Sequence, residues 1–381
     1  MKINLSNVKT EFPAITLGIA DTPEEKLKVY QFRYHIYAEE MSKQFPNMDH
    51  RNKLLFDELD EWAIIIYAKV EADIIGTLRI NIGNIHNFPS FWQKALDLEK
   101  FLAFQREPSL FAYTSKFMVA SDYRNSAVSY LLSARSYAAY CTHQVQFSFG
   151  VCNFHLLRLY EQFGFRRYGR NFIDQGYGLL APYVLLVDDL SHLRAVRSPF
   201  YRSARKRNVI NLQAAEWFHK TFKENTVHIN SQLISQEDLW QHLQQKLSAA
   251  PNQSIPILQG LSTIEAMKFL HSCSIIVKCY AGDQIVCEGD TNYALNILIN
   301  GHLTRTNPSY NSEKTIAAGQ TIGGNGLINH PKHTENVFAV TDAEVLVLSS
   351  LAFPKFHHTH PTIAQKVLYN ITKNKDTPHI S

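Results

Sequence analysis

The chain has 381 residues, of which 45% are hydrophobic, 12% aromatic and 19% charged. This composition excludes intrinsic disorder as the main state, and the length predicts two or three domains, each with its own core. With 38 basic against 34 acidic residues, the formal net charge of +4 is too small to predict nucleic-acid binding, and no nucleic-acid partner is expected.

Residues 14–200 alternate strand-like and helix-like runs, which predicts an α/β or α+β layer fold. A helix is predicted over 22–40, where Pro23 and two glutamates occupy the first turn. Two β-rich runs at 62–70 and 73–82 predict a hairpin. Further strands are predicted at 111–120, 145–151 and 179–187, and further helices at 126–142 and 153–163.

The middle of the chain, residues 201–254, is predicted to be a helical connector. Its locally basic start, 201–210, is interpreted as a solvated linker, with a site for an acidic partner as the alternative. Amphipathic helices are predicted at 212–223 and 236–248. This division assigns residues 1–200 to a first domain and residues 255–381 to a second.

Short strand-like runs separated by Gly, Asp, Asn and Pro fill the second domain and predict a small β-roll, or jelly roll, with flanking helices. The helices are predicted at 264–273 and 361–373. The predicted strands cover 275–279, 284–287, 294–299, 302–306, 315–317, 335–340 and 344–348.

The cellular location is inferred from the cysteines and from the lack of targeting segments. Five cysteines without a CxxC pair predict reduced thiols and no metal site. The first twelve residues have no apolar core, so no signal peptide is predicted. The longest apolar runs, Trp62–Tyr67 and Gly178–Val187, are far shorter than the roughly 20 residues of a membrane span. We therefore expect a cytoplasmic protein without a transmembrane segment.

Two motifs of the first domain carry a resemblance to a known family. The predicted helix at 153–163 ends in Tyr160-Glu-Gln-Phe-Gly164-Phe165, and the strand at 111–120 leads through a turn into a helix start. These motifs resemble the GCN5-related N-acetyltransferase (GNAT) superfamily, which has a mixed sheet with helices. The resemblance implies that Tyr160 protonates a leaving thiolate, and that a strand N–H near 117–119, assigned to Val119, stabilises the oxyanion.

Four further segments resemble the branch of acyl-homoserine-lactone synthases and N-acyl amino acid synthases. They are FRYHIY, FDELDEW, GTLR and the run 188–200. The resemblance implies an acyl donor bound as a thioester to acyl carrier protein or coenzyme A, and an amino-acid-like amine as acceptor. Arginines would hold the acceptor's carboxylate and aspartates its ammonium. The implied substrate-binding residues are Arg33, Tyr37, Asp57, Asp60 and Arg79.

The chain departs from this family at two places. The central strand of lactone synthases has an E-x-S-R pattern, whereas Tyr113-Thr-Ser-Lys116 lacks the acid and has lysine for arginine. The pyrophosphate loop R-x-x-G-x-G is Arg124-Asn-Ser-Ala-Val-Ser129 here, without either glycine, which argues against coenzyme A. The residues expected to face the carrier are Lys116, Arg124, Asn125 and Ser126. As alternatives, Tyr160 only packs and Arg79 only pairs with Asp57 or Asp60.

The second domain resembles the cyclic-nucleotide-binding domain. Gly-Asp turns bracket a short strand in the run 280–290, and Gly301 falls at another turn. The family's phosphate cassette has a glutamate for the ribose and an arginine for the phosphate, but Gly324 and His333 stand at those positions. Losing one charge-assisted contact costs about 1.5–3 kcal/mol, so binding of a cyclic nucleotide is doubtful. The corresponding pocket residues are Gly323, Gly324, Asn325, Lys332, His333 and Thr334.

Three functions remain open on the sequence. The first is an N-acyltransferase whose β-roll is regulatory or structural, docking on the acyltransferase or forming a homodimer. The second is a catalytically altered sensor or interaction protein that uses the β-roll for a ligand or partner. The third is a protein-lysine acyltransferase gated by a cyclic nucleotide, a domain combination that occurs in bacteria.

Overall fold

A computed structural model describes residues 14–104, 111–207, 210–222, 229–307 and 312–373. Two features of the sequence lie outside these ranges: residues 1–13, where no signal peptide is predicted, and residues 208–209 of the basic segment. Among the helices of the described ranges, none is long and apolar enough to cross a membrane.

The first unit, comprising the described residues up to 222, is built on one mixed sheet. The sheet strands are β1 (Ile15–Ile19), β4 (Ile64–Val70), β5 (Asp73–Gly83), β6 (Phe111–Val119), β7 (Phe147–Cys152), β8 (Arg166–Arg167), β9 (Phe172–Asp174) and β10 (Gly178–Leu186), and a separate pair is β2 (Met48–Asp49) with β3 (Leu54–Leu55). The strand order in the sheet is β1-β4-β5-β6-β7-β10-β8, with β9 beside β10, and among these described strands only β6 and β7 pair in parallel.

Helices cover this sheet, and their ends follow local sequence signals. Helix α1 (Pro23–Tyr34) begins with a capping box between Thr22 and Glu25 and continues as a π-helix over His35–Glu40. Gly164, with φ of +106°, ends α4. The α-helices of this unit are α1, α2 (Ser90–Ala95), α3 (Val128–Thr142), α4 (Leu157–Phe163), α5 (Leu190–Ala195), α6 (Tyr201–Ala204) and α7 (Gln213–Thr221). Its 3₁₀ helices are Glu58–Trp62, Ile85–Asn87, Leu98–Phe104, Ser121–Tyr123 and Phe154–Leu156.

A gap opens in the sheet between β6 and β7. The two strands pair only through residues 111–113 and 147–149. Beyond this point β6 carries a β-bulge, because Arg79 is opposite Ser115 while Thr77 is opposite Met118. Lys116, inside the bulge, has φ of +53°. A bulge of this kind bends its strand, and this one lies where β6 no longer pairs with β7.

The second unit, described from residue 229 onward, contains two four-stranded antiparallel sheets. The strands are β11 (Ser274–Cys279), β12 (Gln284–Val286), β13 (Ala294–Asn300), β14 (Leu303–Asn307), β15 (Ser312–Ile316), β16 (Thr321–Ile322), β17 (Asn336–Ala339) and β18 (Ala343–Ser349). One sheet has the order β11-β18-β13-β16 and the other β12-β17-β14-β15, which confirms the predicted β-roll. Flanking helices are α8 (Gln236–Leu247), α9 (Pro251–Ser254), the 3₁₀ helix Pro256–Leu258, α10 (Thr263–Cys273), α11 (Phe353–Thr359) and α12 (Pro361–Lys373).

The predicted connector divides between the two cores. Ala214 and Phe218 of α7 are buried with aromatic side chains of the first unit, including Phe101. Leu239 and Leu243 of α8 are buried in the core of the β-roll. Each helix thus packs as part of the unit next to it, while the domain boundaries at 200 and 254 stay a prediction.

Candidate active site

A buried cluster of charged side chains surrounds Arg79, a residue in the middle of β5. The Asp60 carboxylate joins two guanidinium groups, with Oδ1 2.8 Å from Arg33 Nη1 and Oδ2 3.0 Å from Arg79 Nη1. All three residues are at most 2% exposed. Asp60 Oδ2 also accepts the backbone N–H of Asp57 at 2.9 Å, which closes the capping box of the 3₁₀ helix Glu58–Trp62. The aspartates, three residues apart, therefore face the same arginine.

Asp57 lies next to Arg79 at the edge of this cluster and is partly exposed. It pairs with Arg79, and its Oδ2 lies 3.5 Å from Lys116 Nζ. Burial raises the pKa of Asp57, but Arg79 and Lys116 outweigh burial and lower it to about 2. The cluster contains three cations and two carboxylates. A substrate group with one negative charge would balance it.

The Lys116 ammonium lies among aromatic rings. It is 5.3 to 5.6 Å from the ring centroids of Tyr37, Phe45 and Tyr177, and it donates a hydrogen bond of 2.8 Å to the Tyr177 hydroxyl. Burial lowers the pKa of Lys116, while Asp57 opposes the shift. The bulge points this lysine into the site, where it takes the position of the arginine expected from the family pattern.

A cavity of about 920 Å³ fills the gap between β6 and β7. Asp57, Arg79, Lys116 and Tyr160 all line this cavity. Arg33 and Asp60 lie deeper, buried behind Arg79. The predicted acceptor residues are therefore of two kinds, with Tyr37, Asp57 and Arg79 at the cavity and the other two supporting them.

Tyr160 is held by ring contacts on helix α4. Its ring stacks on Tyr183 at 4.3 Å and meets Phe117 edge-on at 6.4 Å. Burial raises the pKa of Tyr160 far above its ordinary value, so the hydroxyl keeps its proton at neutral pH. A protonated phenol at the cavity wall can donate to a leaving group.

The backbone of β6 offers a hydrogen-bond donor to the same cavity. Ala120 N–H bonds to Ile75 O at 2.9 Å. Because N–H groups alternate in direction along an antiparallel strand, the N–H of the preceding residue, Val119, points away from β5 and toward the gap. This is the orientation that an oxyanion donor requires.

The loop before α3 is built without glycine. Asn125, with φ of +65°, takes the left-handed turn that asparagine tolerates best among larger residues. Arg124 pairs with Glu40 and donates from Nε to Val119 O at 3.2 Å. The Ser126 hydroxyl donates to Tyr123 O at 2.6 Å and accepts from Val128 N–H at 3.2 Å, so it is engaged in the turn. Helix α3 begins at Val128, two residues after the predicted start.

Several cavity residues were not found from the sequence. Lys43, His155, Tyr293 and Leu351 line the cavity, and the last two belong to the β-roll. They come from separate parts of the chain and share no motif, so only the packing of the two units brings them together. The rings of His155 and Tyr293 stack with centroids 5.1 Å apart.

Acid should destabilise the protein through His155. Burial, with Lys43 and His330 nearby, lowers the pKa of His155 to about 3, so the folded protein keeps this ring neutral. An unfolded histidine takes up a proton near pH 6.5, so the contribution of His155 to stability is complete above this pH and falls toward the folded pKa, with a slope that approaches about 1.4 kcal/mol per pH unit below pH 6. Burial lowers the pKa of His192 to about 3 as well, so this ring adds to the slope. Urea unfolding should therefore show a larger loss from pH 6 to 5 than from pH 7 to 6, and His155→Phe should reduce this loss without abolishing it. Exposed His86→Phe should not; an equal slope in all three proteins would contradict this account.

The cassette of the β-roll is filled by its own side chains. His333 Nδ1 lies 2.7 Å from Gly323 O, and burial lowers the pKa of His333, so this ring is neutral. Glu335 Oε1 accepts Gly323 N–H at 3.3 Å and places a carboxylate beside the expected phosphate position. Lys332 and Thr334 are exposed, and Asn325 Oδ1 accepts Leu327 N–H at 3.1 Å.

Cyclic AMP and cyclic GMP should therefore bind poorly. A phosphate would meet the carboxylate of Glu335 and a neutral His333 in place of an arginine, so either nucleotide at about 1 mM should shift Tm by less than about 1 °C. Thermal unfolding followed by intrinsic fluorescence measures this shift. A rise of several degrees would show that the cassette binds nucleotide despite these substitutions.

The described residues contain no group of three or more His, Cys, Asp or Glu that could hold a metal ion. Residues 32–134 match the model of the acetyltransferase (GNAT) domain family. A comparison with curated proteins finds no match.

Three solved structures similar to the chain each cover half of it or less. FeeM, an N-acyl amino acid synthase from uncultured soil microbes, is 13% identical, with a TM-score of 0.41 over 50% of this chain and 99% of FeeM. TofI, solved in a ternary complex with an inhibitor and MTA, is 15% identical, with a TM-score of 0.36 over 47% of this chain and 96% of TofI. A cyclic nucleotide-binding domain from Methylobacillus flagellatus is 19% identical, with a TM-score of 0.30 over 35% of this chain and 75% of that domain.

Proposed function

We propose that this chain, whose residues 32–134 match the GNAT domain family, transfers an acyl group from a thioester to the amine of an amino-acid-like acceptor. One observation carries the proposal. One cavity is lined both by a protonated tyrosine and by residues of a charged cluster that has one excess positive charge.

The charged cluster suits an amino acid. The Asp57 carboxylate stays ionised at neutral pH and is partly exposed, so it can accept hydrogen bonds from the acceptor's ammonium. Arg79 and Lys116 supply the positive charge that balances the acceptor's carboxylate. Arg33 and Asp60 hold Arg79 in place from behind.

The proposed reaction forms a C–N bond, breaks the C–S bond and removes two protons from the acceptor nitrogen. The acceptor's ammonium first loses one proton to water, and the neutral amine nitrogen attacks the thioester carbonyl carbon while the carbonyl electron pair moves to oxygen. The Val119 N–H stabilises this oxyanion. When the C–O double bond re-forms, the C–S bond breaks and Tyr160 gives its proton to the departing thiolate. The nitrogen, positively charged after the attack, then gives its second proton to the Tyr160 phenolate, which yields an amide, a thiol and the original enzyme.

The donor that fits best is a thioester on acyl carrier protein. Coenzyme A presents a pyrophosphate, which GNAT domains hold with a glycine-rich loop. The loop of this chain has no glycine, and Glu40 already pairs with its Arg124. A carrier protein presents only the single phosphate of phosphopantetheine, and so demands fewer backbone donors.

The decisive test offers the purified protein acyl carrier protein and coenzyme A thioesters of several chain lengths, together with the common amino acids. Mass spectrometry should detect an N-acyl amino acid, formed faster from the carrier-protein thioester. Lys116→Ala should reduce formation, because it removes a charge from the acceptor site, whereas exposed Lys100→Ala should not. If neither thioester binds by calorimetry and no amide forms, the proposal is wrong.

A further inference from the structure

The reaction cavity is completed by the second unit. Five of its lining residues belong to the β-roll. They lie just before β13, in the segment before β17, just after β18 and in the first turn of α11. They are Tyr293, His330, Ser350, Leu351 and Pro354. The GNAT-like unit therefore encloses the cavity only partly, and the β-roll forms the remaining wall.

The β-roll contacts the first unit through the outer edge of one of its sheets. Strand β11 is the outer strand of its sheet, and three of its alternate carbonyls accept hydrogen bonds from the first unit. Arg158 donates to Ser274 O at 3.0 Å, Arg167 to Ile276 O at 2.8 Å and Asn171 to Lys278 O at 2.9 Å. Since alternate carbonyls point to the same side of a strand, the three side chains fix one register of docking.

This attachment involves the helix that carries Tyr160. Arg158 lies two residues before Tyr160 on α4, and Glu161, one residue after, pairs with Arg167 at 3.1 Å. The carbonyl of His155, just before α4, accepts the Ser349 hydroxyl at 2.7 Å. The position of the β-roll is thus tied to the position of the tyrosine.

A salt bridge between the units lies at the cavity wall. Lys43 lines the cavity, is largely buried, and its Nζ is 3.0 Å from Asp290 Oδ1 of the β-roll. Tyr293, three residues after Asp290, is close enough to Arg124 and Glu40 for both charges to affect its pKa, which burial raises. Arg124, from the loop before α3, lines the same cavity as Tyr293.

We infer that the β-roll is part of the donor site and that Tyr293 and Leu351 are positioning residues for the pantetheine arm of the thioester. This inference rests on the proposed function. The arm is a mostly apolar chain with two amides, and it suits a wall that combines an aliphatic side chain with an aromatic ring. The phosphate at its end would meet Arg124 and Lys43, which Glu40 and Asp290 now neutralise.

A larger side chain on the β-roll wall of the cavity should weaken binding of the donor and leave binding of the acceptor unchanged. Leu351→Trp should raise both the donor Kd by calorimetry and the donor KM by about tenfold, with the acceptor KM within about twofold. Leu233→Trp, on an exposed leucine outside the cavity, is the matched control. If wild type binds donor and Leu351→Trp binds it equally well, the inference is wrong and the proposed function stands. If wild type binds no donor, both fail.

A second measurement does not depend on tolerating a tryptophan. The thiol introduced by Ser350→Cys would lie at the wall, and bound donor should slow its reaction with a maleimide by about tenfold. Exposed Cys287, outside the cavity lining, serves as the internal control in the same protein. Equal reaction rates with and without saturating donor would overturn the inference.

Weakening the contact between the first unit and the β-roll tests whether the β-roll helps to bind the donor or blocks its site. Asn171→Ala removes contacts with Lys278 O and Asp283, yet Asn171 does not line the cavity. If the β-roll contributes to donor binding, this variant should bind donor more weakly than wild type. Tighter binding would mean that the β-roll obstructs the site, and would overturn the inference.

Discussion

Replacing Asp60 by alanine should lower the free energy of unfolding by about 3–5 kcal/mol. The carboxylate is 2% exposed and joins Arg33 and Arg79, which are also buried. Without it, two guanidinium groups would remain in the interior with their shared counter-charge removed. Loss of one partner from a buried pair is far more destabilising than loss of a pair at the surface, because the remaining charge stays desolvated.

Equilibrium urea unfolding of wild type and the Asp60→Ala variant measures this effect. The matched control is Asp97→Asn, which removes the charge paired with exposed Lys100, keeps a side chain that tolerates the φ of +51° at this position, and should change stability by less than about 1 kcal/mol. Equal effects of the two substitutions would mean that water reaches Asp60 and that the cluster is not a buried network. Partial activity in folded Asp60→Ala protein would be consistent with its place behind Arg79.

The sequence predicted the order of elements because their signals are local. The capping box at Thr22, the hairpin at 62–82 and the helix end at Gly164 depend on neighbouring residues. The β-roll followed from glycines at turns, several of which have positive φ, such as Gly301. Strand β16 and helix α11 were missed because two-residue and seven-residue elements hold too few residues to show a hydrophobic period.

The sequence predicted residues of the candidate site only where they belong to a recognisable motif. Asp57, Asp60 and Arg79 lie together as the family resemblance implies, although sequence spacing does not reveal that Asp60 is buried behind Arg79. The bulge that turns Lys116 into the site depends on the pairing of β5 with β6. The wall from the β-roll depends on docking between units, for which a single sequence contains no signal.

Replacing Tyr160 by phenylalanine should lower kcat for a normal alkyl thioester by about 10²- to 10⁴-fold, the range for loss of a general acid. The phenyl ring keeps the stack on Tyr183 and the edge contact with Phe117 but loses the hydroxyl hydrogen bond with Tyr183, so stability should fall by about 1 kcal/mol while donor KM changes little. The exposed Tyr130→Phe on α3 is the matched control and should retain full activity.

The leaving group distinguishes a proton donor from a packing residue. An aryl thioester releases a thiolate that needs no proton at neutral pH, so Tyr160→Phe should turn over this substrate at close to the wild-type rate. A tyrosine that only packs would slow both thioesters equally when replaced. Because burial raises the pKa of Tyr160, the wild-type rate with the alkyl thioester should also show no loss of this acid up to the alkaline limit of protein stability. An equal decrease with both substrates would assign the proton to water and leave Tyr160 as part of the cavity wall.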